Sequence, residues 1–469
     1  MDAWARPLFA VLCLATVVGF VVFPTYPNYD SYYSLLWGRE VLDATLPHLE
    51  GFRVPTQHPL AIVAGGVLSL FGEVGDRLWV LATIASFLAL VAAVYRLGRL
   101  AFTPLVGLIA AALLLSRFDF AFLAARGYID IPYMALVVWA LVLEVQKPRR
   151  GTLVFVLLAL SGMLRVEGWL LAAAYWVWIC WPGHATWPER VKWAALAAVG
   201  PVVWCTVDFA VTGDPLFSIH YTGNFAEDLG RSRSLDELPG TLPVFFSSLV
   251  KLPVLISAVA GFGLALWITP RRALAPLVLF LAGVGTFVAV AAGGASVIER
   301  YLVIGALALL IFAGVGFGGW TMLERGGVRT AWMSIAALAL IGGVVYTATN
   351  LNLRRFGNEL TFRGDAHDAL TAVLRDPDVT KARACGPLLF PNHKLVPDAR
   401  WILGEDFERV KTRLEIPDPE RGVVVIATSR FAIFKHALSN EADSATIQVP
   451  PEGWAAVATS PHYAAYARC

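Results

Sequence analysis

Five short stretches of this chain carry side chains suited to group transfer. Tyr26-Pro27-Asn28-Tyr29-Asp30 places a carboxylate beside tyrosines, and Thr56-Gln57-His58-Pro59 places an imidazole just ahead of a proline. Arg126-Gly127-Tyr128-Ile129-Asp130 sets an arginine and an acid four residues apart, while Leu164-Arg165-Val166-Glu167-Gly168 and Glu299-Arg300-Tyr301 each set an arginine close to an acid. Asp208, then Asp214 with His220, add two acids and a second histidine. A carboxylate can take the proton of an attacking hydroxyl. A guanidinium can hold a phosphate bidentately while that group departs and its charge grows. Each stretch also has a plainer reading. Asp30 can be the N-cap of an amphipathic helix over 31–43. Arg126 can satisfy Asp130, and Arg165 can pair with Glu167. His58 can be a surface residue, a metal ligand or a phosphate contact.

These side chains have to be carried by an apolar frame. The 469 residues are 57% hydrophobic and only 15% charged, with a mean hydropathy of +0.64, which describes an integral membrane protein. Its 37 basic and 35 acidic residues nearly cancel to a net charge of +2, and no run of five like charges occurs, so nucleic acid is excluded as a partner. A spanning helix needs roughly 20 apolar residues. Segments 7–24, 78–102, 104–125, 131–145, 152–164, 169–181, 193–212, 244–267, 274–292, 301–320 and 331–350 meet that need, which predicts about eleven helices in an α-helical polytopic fold. Segment 59–71 is apolar but short, and suits a juxtamembrane helix that does not cross.

Basic residues arbitrate the threading. If 59–71 does not cross, Arg96 and Arg99, Lys147 with Arg149 and Arg150, Arg190 with Lys192, Arg271 with Arg272, and Arg325 with Arg329 all fall on the side of Arg6. That side is the cytoplasm by the positive-inside rule. The N-terminus is then cytoplasmic in a multi-pass protein of the cell membrane, and loops 25–77 and 213–243 lie outside. Residues 351–469 form a small extracytoplasmic α/β domain, with strands expected at 423–427 and 445–449 and helices at 365–375 and 430–438. Cys385 and Cys469 are its only cysteines and candidates for a disulfide, worth roughly 4 kcal/mol in the chain-entropy model. Cys13, Cys180 and Cys205 fall in apolar stretches as small hydrophobes. The helices at 152–164 and 169–181 are short, so the turn carrying Arg165 and Glu167 should be sunk in the membrane and line a polar cavity. All the chemistry-bearing stretches then converge on one outward-facing cavity. A lipid phosphate carrying a sugar would meet both the carboxylates and the arginines.

The same residues resemble the GT-C superfamily of polyprenyl-phosphate-sugar-dependent glycosyltransferases, in particular the branch of protein O-mannosyltransferases and the lipid A aminoarabinose transferase. The similarity runs from Arg6 to Asn350. It lies in the order of Tyr29-Asp30, His58-Pro59-Leu60 opening a segment that ends Leu70-Phe71-Gly72, the run from Tyr95 to Phe102, Asp130-Ile131-Pro132, the Leu164 to Gly168 turn and Glu299-Arg300-Tyr301-Leu302. The resemblance implies an inverting transfer with Asp30 and Asp130 catalytic, Asp30 being the base. It implies donor-phosphate contacts from Arg165, Arg300 and Arg126, and a cavity lined by Tyr29, His58, Glu167, Glu299, Tyr301 and His220. A divalent metal ion, Mg or Mn, would draw on Asp30, Asp130 and His58. The donor would be a polyprenyl-phosphate-linked mannose or pentose, and the acceptor an envelope glycan or lipid at the bilayer. Asp30 is followed by Ser31, not by the Glu of the protein O-mannosyltransferases, so a protein acceptor is not supported. A transporter or flippase, and a ligase for lipid-linked glycans, are the competing classes.

Overall fold

The structure is a computed structural model describing residues 2–181, 185–228, 235–294, 297–350, 353–417, 419–436 and 448–469. Helix α1 (Asp2–Val22) is apolar and turns most of its large side chains away from the protein. Helices α2 (Tyr29–Leu42) and α3 (Pro59–Ser69) follow. Asn28, not Asp30, caps α2, its side-chain oxygen accepting from the backbone N–H groups of Asp30 and Ser31. Asparagine is among the strongest N-caps, so the cap falls two residues earlier than expected. Nor does α2 lie half-exposed: Ser31 to Gly38 are all buried. Its backbone packs directly on α3, since a Cβ on Gly38 would come 2.1 Å from the Gly66 nitrogen and one on Gly65 2.2 Å from the Ser34 oxygen.

The main bundle continues with α4 (Gly75–Ala101), α5 (Pro104–Leu115), α6 (Phe118–Ala125), α7 (Asp130–Gln146), α8 (Thr152–Gly162) and α9 (Glu167–Cys180). Next come α10 (Trp187–Thr212), opened by a Thr186/Glu189 capping box, α11 (Phe217–Asp228), α12 (Leu238–Val250) and α13 (Leu252–Ile268). It closes with α14 (Pro270–Ala292), α15 (Val303–Gly318) and α16 (Gly327–Asn350). Helix α15 is almost wholly buried and forms the centre around which α5, α13 and α14 pack. The expected span 244–267 is not one helix. It breaks by 105° at Lys251, whose φ is +69°. Pro253 supplies the reason, because its ring cannot tolerate the carbonyl of residue 249 in a continuous helix.

Every expected apolar segment is helical, but the count of eleven is not reproduced by length and composition. Among the described residues six helices are long and apolar enough to cross a membrane, or eight if the bent pairs α5–α6 (64°) and α12–α13 each count once. That makes the chain a multi-pass membrane protein. Helices α8 and α9 have only 11 and 14 residues.

The C-terminal domain is α/β. It comprises α17 (Leu353–Leu374), α18 (Pro377–Ala382), β1 (Leu388–Phe390), α19 (Val396–Leu403), β2 (Val410–Thr412), β3 (Gly422–Ala427), α20 (Arg430–His436), β4 (Ala455–Thr459) and β5 (Tyr463–Arg468). The sheet order is β2-β1-β3-β5-β4, with β1 parallel to β2 and β3, and β5 antiparallel to β3 and β4. Strand β3 is apolar throughout because both its faces are covered: Val423 and Val425 on one, Val424 and Ile426 on the other. The helices expected at 365–375 and 430–438 correspond to parts of α17 and α20, with 437–438 outside the described residues. Of the strand expected at 445–449, residues 445–447 also lie outside the described residues, and Gln448 and Val449 are not in a strand. Cys385 and Cys469 are joined in a disulfide with Cα atoms 5.3 Å apart.

This domain is docked on α2 and its surroundings. Arg400, 2% exposed, donates to Glu40 at 2.8 Å. The His367 ring stacks on Tyr26 with centroids 3.6 Å apart and meets Asp398 at 3.2 Å. Gly38→Val should wedge α2 from α3 and lower stability by about 1–3 kcal/mol. The readout is the thermal unfolding midpoint of the purified protein, with the exposed Gly263→Val as a variant expected to leave it unchanged.

Candidate active site

A cavity of about 1060 Å³ opens where α2, α3, α7, α9, α11 and the C-terminal domain meet. Each wall brings one of the chemistry-bearing stretches. Asp30 enters on the first turn of α2, His58 at the mouth of α3 and Asp130 on the first turn of α7. Arg165 and Glu167 come from the tight turn between α8 and α9, and Glu299, Arg300 and Tyr301 from a 3-10 turn before α15.

The charged groups form one chain of contacts. Arg165 donates through Nη1 to Asp130 Oδ1 at 2.7 Å and through Nε and Nη2 to Glu167 Oε1 at 3.2 and 3.1 Å. Arg300 spans the next gap, with Nε 3.7 Å from Asp130 Oδ1 and Nη1 3.8 Å from Asp30 Oδ2. Aromatic faces support both cations: Tyr301 lies 4.6 Å from the Arg165 guanidinium carbon and Tyr128 5.4 Å from that of Arg300. Asp130 is 1% exposed, and its second oxygen, Oδ2, is buried with no hydrogen-bond partner among the described residues.

Arg165 and Glu167 therefore do pair, but Asp130 is a second partner of the same guanidinium. Arg126 does not pair with Asp130. It lines the cavity, yet its Nη1 donates to the Tyr26 carbonyl at 2.6 Å, and its own carbonyl accepts from the Asn28 backbone and side chain. Burial lowers its guanidinium to about 10. Tyr29 lines the cavity while its hydroxyl donates to the Arg53 carbonyl. The His58 ring stands edge-on to Trp204 at 5.5 Å, and its Nδ1 has no hydrogen-bond partner among the described residues. Burial, with Arg165 nearby, pushes this imidazole down to about 3, so it is neutral at physiological pH.

His220 departs from expectation. It is exposed, contacts Asp214 at 2.7 Å and does not line the cavity, because an acid six residues earlier offers it a local partner at the surface. Asp208 likewise acts in structure, accepting from Gln57 and from both the backbone and hydroxyl of Ser218. The metal set does not assemble either. Among the described residues no three His, Cys, Asp or Glu side chains converge on a cation site, and Asp30 and Asp130 both face Arg300. A divalent ion placed between them would lie against that guanidinium. The cavity also contains residues that sequence reasoning missed: Arg363, His393, Lys394 and Lys435 of the C-terminal domain. Their only local signal is the polar run Asn392-His393-Lys394 between two apolar elements.

No family model matches the chain. No curated protein matches it either. Solved structures do. ArnT from Cupriavidus metallidurans, in a crystal structure bound to undecaprenyl phosphate, is similar over 100% of this chain and 98% of its own, with a TM-score of 0.59 and 15% identity. An oligosaccharyltransferase from Archaeoglobus fulgidus, tethered with an acceptor peptide, is similar over 87% of this chain and 63% of its own, with a TM-score of 0.48 and 12% identity. The chain shares the fold of ArnT over its whole length.

Two outcomes test this geometry. Arg165→Gln would leave Glu167 buried without its cation and Asp130 with Arg300 alone, and should cost about 3–5 kcal/mol, read as a fall in the unfolding midpoint. His58 has a folded-state value below the ordinary 6.5, so it contributes stability that is fully present above pH 6.5 and lost as pH falls from there toward 3. Unfolding midpoints measured across that window should decline less steeply in His58→Asn than in the parent protein.

Proposed function

We propose that the chain is an integral membrane glycosyltransferase that moves a sugar from a polyprenyl-phosphate donor to a hydroxyl acceptor with inversion. The observation that carries this reading is the chain of contacts Glu167–Arg165–Asp130–Arg300–Asp30 within one cavity of the membrane bundle. The likeness to ArnT, crystallised with undecaprenyl phosphate, supports a lipid-phosphate donor.

In this reading Asp30 is the base. Its carboxylate takes the proton of the acceptor hydroxyl as the oxygen attacks the anomeric carbon. The bond from that carbon to the phosphate oxygen breaks, and the lipid phosphate leaves with the electron pair from the opposite face. Arg300 and Arg165 stabilise the charge that grows on the departing phosphate, in a site where water is partly excluded and each charge counts for more. Arg300 faces Asp30 and Asp130 equally, so it can shift toward the phosphate while Asp130 stays held by Arg165. Asp130 and His58 line the cavity, and their fixed positions shape the space in which the sugar ring is oriented for in-line displacement. A mannose or pentose donor and an envelope glycan or lipid acceptor fit this scheme. The catalytic face is extracytoplasmic, with the N-terminus in the cytoplasm.

A reconstituted assay with a polyprenyl-phosphate-linked sugar tests the assignment. Asp30→Asn should lower transfer by about 10²–10⁴ while preserving the unfolding midpoint, and full activity would remove Asp30 as base. A reporter fused after Asn350 should be extracytoplasmic, and a cytoplasmic signal would reverse the orientation.

A further inference from the structure

The C-terminal domain exposes few large apolar side chains. Among its described residues they are Phe431, Ile433, Phe434 and Val449, and the first three sit together on α20, exposed by 44%, 37% and 72%. On the same helix Ala432 is fully buried in the domain core. At 3.6 residues per turn Phe434 stands about 200° round the axis from Ala432, so α20 has one face in the core and an apolar face turned outward. Such a patch on an otherwise polar domain marks an interaction surface.

The level of α20 relative to the bilayer can be traced through α17, which begins three residues past the end of α16. The Phe356 ring stands edge-on to Phe118 of α6 at 5.4 Å. A Cβ on Gly357 would come 3.6 Å from the ring of Phe23, the residue directly after the apolar span Trp4–Val22. Gly357 therefore lies at the edge of the membrane bundle. Glu359 and Phe362, two and five residues further along, hold α20: Glu359 Oε2 is 2.7 Å from Lys435 Nζ, and the Phe362 ring meets Phe431 edge-on at 4.3 Å. At 1.5 Å per residue these contacts lie only about 3 and 8 Å along α17 from Gly357. The polar layer of one leaflet is itself roughly 5–8 Å deep. That sets the outward face of α20 among lipid headgroups.

We propose that Phe431, Ile433 and Phe434 dip into the bilayer leaflet on the domain's own side, making α20 a membrane foot of the C-terminal domain. The partner is the lipid surface itself. Seven residues are too few for a helix to bind a membrane unaided, but the bundle already holds α20 beside the lipid, so insertion is an intramolecular event. Burying large apolar side chains beneath the headgroups then adds a favourable contact. The cations of the helix suit this placement. Arg430 is exposed at its start, as basic residues flanking an interfacial apolar face are, while Lys435 turns back to Glu359 and lines the cavity. The foot thereby fixes the height above the bilayer of the wall that Lys435 contributes. This surface is independent of the transferase reading.

Photocrosslinking of the full-length protein in phosphatidylcholine nanodiscs tests this. One variant carries p-benzoylphenylalanine in place of Phe434. A reference variant carries it in place of Arg421, which is exposed at the opposite end of β3, a strand length of about 20 Å from α20. Irradiation should attach phosphatidylcholine, read by mass, about tenfold more at position 434 than at position 421, since only the former reaches the acyl region. A lipid yield at 434 no higher than at 421, an adduct to a second copy of the chain, or a cross-link within the chain in place of lipid would overturn the foot. A spin label supplies the second measurement. With Cys13, Cys180 and Cys205 replaced by alanine, a nitroxide on Phe434→Cys should be relaxed more by oxygen than by a water-soluble nickel chelate. The reverse order would place α20 in water and overturn the proposal equally. Phe434 lies outside the core, so neither probe removes packing. Neither measurement reads turnover, so loss of the foot and loss of the Asp30 mechanism are separate results.

Discussion

The contact between Arg165 and Asp130 is the constraint on which the rest of the structure depends. A carboxylate 1% exposed within a membrane bundle is tolerable only with cations against it, and losing Arg165 would leave the more distant Arg300, at 3.7 Å, to offset its desolvation. The pairing dictates lengths. At 1.5 Å per residue, the 11 residues of α8 and the 14 of α9 rise only about 16 and 21 Å, so the turn between them stays within the bundle, where Arg165 reaches Asp130 on the first turn of α7. The 3-10 turn before α15 sets Arg300 beside the same acid, and the backbone packing of α2 on α3 fixes Asp30 at the far side of that arginine. Five side chains from four parts of the sequence share one electrostatic arrangement, and each element is placed by the need to complete it.

Much of the frame was legible in the sequence, because apolar runs of sufficient length have few alternatives to helix. What hydropathy averages away was not. Lys251-Leu252-Pro253 is a minor interruption in a 24-residue apolar window, yet it turns the chain through 105°. The cap of α2 lies at Asn28 because its amide oxygen accepts from the backbone of Asp30 and Ser31, which leaves the Asp30 carboxylate on the first turn free of that role. Strands β4 and β5 are rich in alanine and show little alternation, so neither stood out. At the site, Asp30, Asp130, Arg165 and Arg300 were readable as isolated charges in apolar surroundings, where their presence demands a reason. His220 was misleading because it sits on a polar surface, where a histidine needs none. Arg126 was visible for the same reason as Arg165, but its guanidinium serves a backbone carbonyl. Arg363, Lys394 and Lys435 carried no comparable signal. In an α/β domain lysines and arginines are ordinary, and only docking reveals which of them look into the cavity.

That docking is built from directional contacts. The Tyr26 and His367 rings stack, Tyr32 donates to Asp76 at 3.0 Å within 3.4 Å of His367, and Arg400 reaches Glu40 from the buried side of α19. Contacts of this kind specify orientation more sharply than apolar area alone, since each requires one angle as well as one distance. The domain is thereby held in register with the first turn of α2, which is where a small displacement would matter most to Asp30.

The cavity wall draws on residues as far apart in the chain as Tyr29 and Lys435. Translation delivers the former near its beginning and the latter near its end. Asp30, Asp130, Arg165 and Arg300 can already be threaded into the bilayer while the segment that completes the wall is still on the ribosome. Until α17 to α20 have folded and seated on α2, the cavity lacks the side of its wall that carries Arg363, His393, Lys394 and Lys435. The enclosure is therefore the last part of the molecule to be completed, well after the side chains it surrounds.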